Sequence, residues 1–434
     1  MRCEFQNEIS ACIEKNKMKY AKLLKKLVSF DSVIIRNGQD GNEKEIQAFL
    51  ADYLKHMGAR VDCFEPDNAR ISKYDCYNAN HQYKDRPNVV AVFKGTGGGK
   101  SIVLNGHADV VAAGEEERWS SPPYRPEIRA GKMYGRGTCD MKAGLSAAIC
   151  AISLLKEQGY DFCGDVILEA VIDEEGGGNG TLACCDRGYR ADGAILMEPT
   201  CLRVMPANRG TFLASYTVQG KPIHASMRGF GVNAIEKALK IFNGLRELEL
   251  EWLLTMEHPI LGNPTINLGQ IYGGEGASIV AGECTVKFDV EFFPNVYDKM
   301  GKVTPVDPLE IQQIVQERVN RVCSGDEWLS GHVPQINWYQ TTLCFETPED
   351  DPFLEAVYES AREAMGHAIV KGLPCGCDGY QLNAVGGMPT VVIGPGDITN
   401  AHGYDEYVEM DEYYKAIEVY ACLLKNWVGL RKPD

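Results

Sequence analysis

Residues 102–111 read IVLNGHADVV, an apolar run whose end carries a histidine, His107. Continuous apolar runs of this length are typical of strands that are buried on both faces of a parallel sheet. Open α/β sheets carry their functional sites outside the carboxyl ends of such strands. The stretch therefore predicts an α/β fold with a functional group at the end of a buried strand.

Four other polar residues occupy similar places. They are Glu175 after the run DVILEAVIDE, Glu198 after DGAILM, Asp140 between MYGRGTC and a helical pattern, and His402 after TVVIGPG and a short loop. A single acidic residue at a strand end is usually a helix cap or a surface group, but this explanation does not suit the whole set. Imidazole and carboxylate ligands together suit zinc, with manganese or cobalt as alternatives. The set predicts a two-metal hydrolase.

Within this set, Asp140 is the candidate bridge between two ions. Glu175 and His402 complete one coordination sphere in this hypothesis, and His107 and Glu198 complete the other. The position between the ions is then left for the water that attacks a carbonyl carbon.

Three further residues are candidates for supporting roles. Glu174 precedes a ligand, and it is the candidate general base that takes a proton from water without binding metal. Asp109 is the candidate acceptor for the second imidazole N–H of His107. His224, in QGKPIHAS, is either a donor to the oxyanion or, as lone histidines more often are, a structural residue. The sequence has no GxSxG motif, Walker loop or dinucleotide-binding glycine pattern that would favour another chemistry.

Composition and charge exclude several kinds of partner. The chain of 434 residues has a formal net charge of −16, whereas nucleic acid and anionic membrane surfaces favour clusters of Lys and Arg. The N-terminal segment lacks the apolar core of a signal peptide, and no stretch is long and apolar enough to span a bilayer. The 16 cysteines have no regular spacing, which is typical of reduced thiols. We therefore expect a cytoplasmic protein without nucleic-acid or membrane partners.

The order of patterns predicts two domains. Strands and helices alternate as far as Glu198, which is typical of a layered α/β domain. Residues 207–343 then read strand, helix, strand, strand, helix, strand, the order of a ferredoxin-like split unit. We expect a three-layer catalytic domain with a central mixed sheet at 1–206 and 344–434, interrupted by an inserted lid at 207–343. Helices are expected at about 17–28, 42–57, 140–159, 233–256, 308–323, 352–365 and from 411 onward.

Several motifs together resemble the M20 metallopeptidase and deacylase family, which includes acetylornithine deacetylase and succinyl-diaminopimelate desuccinylase. They are NGHADVV, YGRGTCDMKAG, DEEGGG, MEPT, GKPIHAS, GPG and AHGYDE, and the match covers nearly the whole chain. The resemblance implies an α/β catalytic domain that holds two co-catalytic zinc ions. It also implies a lid domain that forms a homodimer.

The resemblance also implies a role for each matching residue. One ion is held by His107, Asp140 and Glu198 and the other by Asp140, Glu175 and His402, while Glu174 is the base and Asp109 orients a ligand. It further implies a cis peptide bond after Asp140. His224 matches a lid histidine that reaches the partner's active site in dimeric members and stabilises the oxyanion.

One position departs from the family pattern. Many members carry a lid arginine in a D-x-R pattern that binds the substrate carboxylate, but the stretch KFDVEFF has Glu291 instead. Either Arg209 or Lys221 replaces this arginine, or the substrate has a cationic or neutral head.

The function predicted from these observations is removal of an acyl group from an N-acyl amino acid or a related small N-acyl amine by a dizinc amidohydrolase. One alternative is an exopeptidase that uses the same metals on short peptides. The other is a regulator that keeps the fold and the ligands but has lost catalysis.

Overall fold

The computed structural model describes residues 4–35, 40–297 and 302–432. Its helices are α1 (Glu4–Val28), α2 (Lys44–His56), α3 (Asn68–Ile71), α4 (Lys142–Glu157), α5 (Asn179–Arg187), α6 (Ala234–Thr255), α7 (Pro308–Ser324), α8 (Pro352–Met365) and α9 (Met410–Leu423). Its first ten strands are β1 (Ile34–Ile35), β2 (Asp40–Gly41), β3 (Arg60–Phe64), β4 (Asn88–Phe93), β5 (Ile102–His107), β6 (Glu127–Arg129), β7 (Lys132–Tyr134), β8 (Asp161–Phe162), β9 (Val166–Val171) and β10 (Ala194–Leu196). The others are β11 (Gly210–Gln219), β12 (Thr265–Gly273), β13 (Glu283–Phe292), β14 (Asn295–Tyr297), β15 (Val303–Pro305), β16 (Asn337–Thr342), β17 (Thr390–Val392), β18 (Tyr407–Glu409) and β19 (Leu430–Arg431).

The chain divides into two compact units. The first comprises Met1–Ala207, Glu346–Leu373 and Cys377–Asp434, and the second comprises Asn208–Phe345 and Pro374–Gly376. Within the described part of the chain, no helix has the length and apolar character needed to cross a membrane.

A six-stranded mixed sheet forms the centre of the first unit. Its strand order is β17-β10-β5-β9-β4-β3, in which β17, β10, β5 and β9 are parallel and β4 pairs antiparallel with both β9 and β3. Every residue of β4, β5, β9 and β10 is buried, as the apolar runs predict. The predicted mixed central sheet in an α/β fold is confirmed, and the parallel strands bring their carboxyl ends to one edge.

Helices pack on this sheet through apolar faces. Helix α4 contacts α1, α9 and β5, and nearly all of its side chains are buried. Helix α1 begins at Glu4, earlier than the predicted start near residue 17. Its first half buries Ile9 and Ile13, which lie one helical turn apart, but the polar residues around them hide this periodicity in the sequence.

The second unit contains a four-stranded antiparallel sheet in the order β12-β13-β11-β16. Helices α6 and α7 pack against each other, and α6 also contacts β11, β12 and β13. Strand β11 alternates between buried and less buried residues along its length, so the sheet has one covered and one more open face. The sequence does not predict the antiparallel pair of β14 and β15, which lies between β13 and α7 along the chain.

A glycine in α4 allows the helix to approach the end of β10. A Cβ added at Gly144 would lie 2.1 Å from the carbonyl oxygen of Met197, the residue before Glu198. We predict that Gly144→Ala lowers the free energy of unfolding by about 1–3 kcal/mol, although alanine is the better helix former by about 1 kcal/mol. Urea unfolding monitored by circular dichroism tests this. Gly229→Ala is the control, because the added Cβ meets open space there, and equal or greater stability of the Gly144 variant would contradict the prediction.

Candidate active site

The structure brings together all seven predicted site residues that belong to the first unit. Each lies near the edge of the sheet where the parallel strands end: His107 closes β5, Glu174 and Glu175 follow β9, Glu198 follows β10, Asp140 precedes α4, His402 follows a turn after β17, and Asp109 follows His107.

Asp140 faces two histidines with its two carboxylate oxygens. Its Oδ1 lies 3.0 Å from Nε2 of His107, and its Oδ2 lies 3.3 Å from Nε2 of His402. The same His402 nitrogen lies 3.0 Å from Oε1 of Glu175. The peptide bond from Asp140 to Met141 is cis, as expected. The two carboxylate oxygens of Asp140 thus face different histidines, an arrangement that suits a carboxylate shared by two cations.

The hydrogen bond on the far side of His107 determines which ring nitrogen carries the proton. Nδ1 lies 2.9 Å from the main-chain oxygen of Asp109, an acceptor, so Nδ1 carries the hydrogen. The lone pair of a neutral ring is then on Nε2, which faces the carboxylates. Two electron-rich atoms that face each other at hydrogen-bond distance require a proton or a metal ion between them.

Glu198 and Glu174 complete this cluster. Oε1 of Glu198 lies 3.8 Å and Oε2 of Glu174 lies 3.9 Å from Nε2 of His107. Oε1 of Glu198 is buried and has no hydrogen-bond partner within residues 4–35, 40–297 and 302–432. A buried acceptor without a donor is costly, and a cation at this point would satisfy it.

The electrostatics favour cations in the same place. Burial, followed by the charge of Glu198, raises the pKa of Glu174 well above its usual value. Burial also raises the pKa of Glu198 and that of Glu175. Although burial opposes it, hydrogen bonds from His107 and His402 in their protonated forms hold the pKa of Asp140 below its usual value. These crowded acids repel one another unless protons or metal ions neutralise them.

The donor set fits divalent metal ions. Two ligands of one tetrahedral zinc ion lie about 3.4 Å apart when each bond is about 2.1 Å, close to the spacings around Asp140. In the described part of the chain, two groups have ligand atoms that all lie within 4.8 Å of one another, namely His107 with Glu174 and Glu198, and His107 with Asp140 and Glu175. The donors are imidazole nitrogens and carboxylate oxygens, which zinc, cobalt and manganese all accept.

Asp109 contacts both sides of the cluster. Its main-chain oxygen accepts the hydrogen bond from His107, while its carboxylate oxygen lies 3.6 Å from the same nitrogen. The carboxylate instead accepts the backbone N–H of Glu174 at 3.4 Å and of Glu175 at 3.1 Å. Asp109 therefore orients a histidine through its backbone and the acidic turn through its side chain.

A buried ion pair that was not assigned a role from the sequence holds two of the predicted ligands. Nη1 of Arg136 lies 2.6 Å from Oε2 of Glu406. Oε1 of Glu406 accepts the backbone N–H groups of Cys139 at 2.8 Å and Asp140 at 3.2 Å, and Arg136 donates to the main-chain oxygen of His402 at 3.3 Å. Both residues lie inside the motifs YGRGTCD and AHGYDE, but a sequence alone does not show that the motifs meet.

Asp378 is a further buried acid that sequence reasoning missed. Its Oδ2 accepts a hydrogen bond of 2.5 Å from Oγ1 of Thr181, and burial raises its pKa to about 7. Its own segment, CGCDGYQLN, has no clear apolar period, so the sequence gives no sign of this burial.

His224 belongs to the second unit, where its side chain is exposed. Its Nδ1 lies 2.8 Å from Oγ of Ser226 and accepts the backbone N–H of the same residue at 3.3 Å. With Nδ1 accepting, the proton of the neutral ring is on Nε2. The oxyanion role of His224 stays a prediction.

The mixed sheet of this α/β unit carries a cluster of imidazoles and carboxylates at its strand ends. A further carboxylate beside the cluster is suited to act as a base. These features are those of a metal-dependent amide hydrolase. The chain belongs to peptidase family M20/M25/M40, whose family model matches residues 103–426. The family expected from the sequence motifs is therefore confirmed.

Three known proteins illustrate this relationship. The chain is 30% identical over 448 residues to the N-formyl-4-amino-5-aminomethyl-2-methylpyrimidine deformylase of Bacillus subtilis strain 168, covering 97% of each sequence. It is 35% identical over 388 residues to a probable succinyl-diaminopimelate desuccinylase of Staphylococcus aureus strain Mu50, covering 84% of this chain and 95% of that one. A Bacillus subtilis structure described as a dinuclear metal-binding peptidase of the M20 family superposes with a TM-score of 0.60 at 16% identity, covering 95% of this chain and 98% of that chain.

The buried acids predict a pH dependence for the metal-free protein. Burial raises the pKa of Glu169 and that of Asp378 to about 7, so the folded chain keeps protons that the unfolded chain releases between about pH 4 and pH 7. Stability therefore falls as pH rises through this window. We expect a lower urea midpoint at about pH 7.5 than at about pH 5 without metal.

Zinc should raise the midpoint at the higher pH, because it binds the folded chain more tightly than the unfolded chain. Glu169→Gln removes one of these acids while Asn105 still offers a hydrogen-bond donor at that position, so this variant should show a weaker pH dependence. Metal-free protein that becomes more stable toward pH 7.5 would contradict the prediction.

Proposed function

We propose that this chain is a cytoplasmic dizinc hydrolase that removes a small acyl group from an N-acyl amine. The observation that carries the proposal is the Asp140 carboxylate, whose two oxygens face two histidines. Support also comes from the enzyme names of the two relatives, both of which describe deacylation of an amine.

The metal ligands in this proposal are those expected from the sequence. His107 and Glu198 would hold one ion, Glu175 and His402 would hold the other, and Asp140 would serve as a ligand to both. The dinuclear description of the related Bacillus subtilis structure supports two ions. Zinc is the metal that this donor set favours, with cobalt and manganese as alternatives.

The remaining site residues move protons and hold charge. When bound, the metal ions polarise the amide carbonyl and lower the pKa of water. Glu174 takes a proton from the attacking water and delivers it to the amine nitrogen as the C–N bond breaks. By the family resemblance, His224 from the lid of a second copy of the chain donates a hydrogen bond from Nε2 to the carbonyl oxygen as that oxygen gains charge. The products are a carboxylic acid and a free amine.

An ion pair in the second unit limits the class of substrate that we propose. Nη1 of Arg209 lies 2.6 Å from Oε2 of Glu291, and the same guanidinium donates to the main-chain oxygen of Leu261 at 3.1 Å and 2.5 Å. An arginine engaged in this way has few N–H groups left for a bidentate contact with a substrate carboxylate. The pair supports a substrate that lacks a carboxylate beside the scissile amide.

The deformylase relative fits this requirement, since the substrate in its name is an aminopyrimidine without a carboxylate. Diaminopimelate and succinyl groups, in contrast, both carry carboxylates. We therefore propose an N-formyl amine on a neutral or cationic heteroaromatic head as the preferred substrate class.

The two units correspond in this proposal to a catalytic domain and an inserted lid. The element order and the strand order of the second unit support a ferredoxin-like lid. Homodimerisation through this lid and the cytoplasmic location are further parts of the proposal, and they rest on the sequence and the family resemblance.

Replacing the base tests the assignment of Glu174. We expect Glu174→Gln to lose at least about a hundredfold in kcat, because the amide cannot accept the proton, while zinc stays bound. Steady-state kinetics together with elemental analysis of the purified variant measure both quantities. Full activity in this variant would rule out the base. Asp405→Asn is a matched control, since Asp405 is a partly buried carboxylate outside the ligand set.

A substrate panel tests the substrate class. We expect kcat/KM for N-formyl-4-amino-5-aminomethyl-2-methylpyrimidine to exceed that for N-succinyl-diaminopimelate and for dipeptides by at least about a hundredfold, because unpaired charges in a site built without their partner are costly. A preference for the succinylated substrate would contradict the substrate class, and a preference for dipeptides would favour the exopeptidase. Two bound metal ions without hydrolysis of any amide would favour the silent regulator.

A further inference from the structure

A loop before β4 packs behind the acidic turn that carries Glu174. Along this loop, residues 81–86, burial alternates: His81, Tyr83 and Arg86 are buried, while Gln82 and Lys84 are exposed. The buried members are polar or charged, so hydrophobic packing does not explain their position. They contact the residue that begins the acidic turn.

That residue is Asp173, which is fully buried. Its Oδ2 lies 2.7 Å from Nδ1 of His81 and accepts the hydroxyl of Tyr83 at 2.8 Å. Nη2 of Arg86 lies 3.6 Å from Oδ1 of Asp173, and the guanidinium pairs with Glu43 at 2.8 Å and 2.5 Å. His81 and Tyr83 thus hold one oxygen of the Asp173 carboxylate, and Arg86 lies near the other.

Asp173 needs this support because of its backbone. Its φ is 65°, in the left-handed region that residues with a Cβ rarely adopt. Its main-chain oxygen accepts the N–H of Gly178 at 2.8 Å, and the oxygen of Glu174 accepts the N–H of Gly177 at 2.8 Å. A strained residue persists only when its surroundings fix it.

The loop and the segment just before it also hold the other end of the turn. Nδ2 of Asn78 donates to the main-chain oxygen of Gly177 at 2.6 Å. Asn179, the first residue of α5, accepts the N–H of Asn78 at 3.0 Å and donates to the Tyr83 hydroxyl at 2.7 Å. The Tyr83 hydroxyl therefore joins Asp173 at the start of the turn to Asn179 at its end.

Three consecutive acids, Asp173, Glu174 and Glu175, occupy this turn. Their mutual repulsion opposes a conformation in which the second and third face one site. Buried ion pairs contribute little net stability. The contacts of His81, Tyr83 and Arg86 with Asp173 are therefore better explained by the conformation of the acidic turn that they select.

We propose that His81 and Tyr83 are positioning residues, which act through Asp173 to hold Glu174 and Glu175 in the orientation needed for catalysis. The proposal rests on the proposed function, because Glu174 is the base in that mechanism. Neither residue touches the substrate in this account. Both act on the backbone that carries the base and a ligand.

The test compares Tyr83→Phe with Tyr413→Phe. Each variant removes one buried hydroxyl from the first unit, and the Tyr413 hydroxyl bonds Ser146 and the main-chain oxygen of Tyr20, away from the acidic turn. We expect Tyr83→Phe to lower kcat by about tenfold or more, as loss of a supporting hydrogen bond at a metal site does, with KM changed less than about twofold.

Hydrogen exchange gives a readout that does not need activity. Peptides covering residues 172–180 should exchange faster in Tyr83→Phe than in wild type, with and without zinc, because the turn opens locally. Tyr413→Phe should lose comparable thermal stability but leave both kcat and the exchange of these peptides unchanged. His81→Asn, which keeps an N–H in place of Nδ1, should retain more kcat than His81→Ala, and Gln82→Ala should match wild type.

The proposal is overturned if Tyr83→Phe and His81→Ala keep kcat within about twofold and exchange at 172–180 like wild type. It is also overturned if Tyr413→Phe lowers kcat equally, which would show a general loss of stability. Should wild-type protein hydrolyse none of the amides, the proposed function fails, and the exchange comparison alone decides the positioning role. If Tyr83→Phe does not fold, the comparison of His81→Asn with His81→Ala tests the positioning role in its place.

Discussion

The structure depends on a group of buried carboxylates that are stable together only with positive charge between them. Asp140 lies at the centre of this group, with one oxygen toward His107 and the other toward His402. Because the Nδ1 proton of His107 is directed to a backbone carbonyl, the lone pair on Nε2 is left for a cation. Metal binding therefore reduces the repulsion among the acids, and it also gives the unpaired oxygen of Glu198 a partner.

The surrounding fold supplies the rigidity that this arrangement needs. Parallel strands bring their ends to one edge, and the ion pair of Arg136 with Glu406 joins the segment before α4 to the loop of His402. Asp109 joins the end of β5 to the acidic turn after β9. Each contact connects segments that are far apart in sequence, so the geometry of the site is a property of the folded sheet and not of any one motif.

The sequence predicts the strand ends well, because buried parallel strands are continuous apolar runs and a polar residue at their end is conspicuous. Thus the amino-acid pattern alone places His107, Glu175 and Glu198 at strand ends, and the motifs identify the family. The pattern does not reveal the role of residues 81–86, since buried polar groups in a loop have no period that separates them from exposed ones. The sequence likewise does not predict the pairing of Arg209 with Glu291, because the two residues are far apart along the chain. This pairing engages an arginine that could otherwise have replaced the missing carboxylate-binding arginine of the family pattern.

The central claim is that one carboxylate is shared by two cations. Anomalous diffraction at the zinc absorption edge, from crystals grown with zinc, tests it most directly. The account predicts two strong anomalous peaks on either side of Asp140, one beside His107 and Glu198 and the other beside His402 and Glu175. A single peak bound without Asp140, or no peak among these residues, would contradict it.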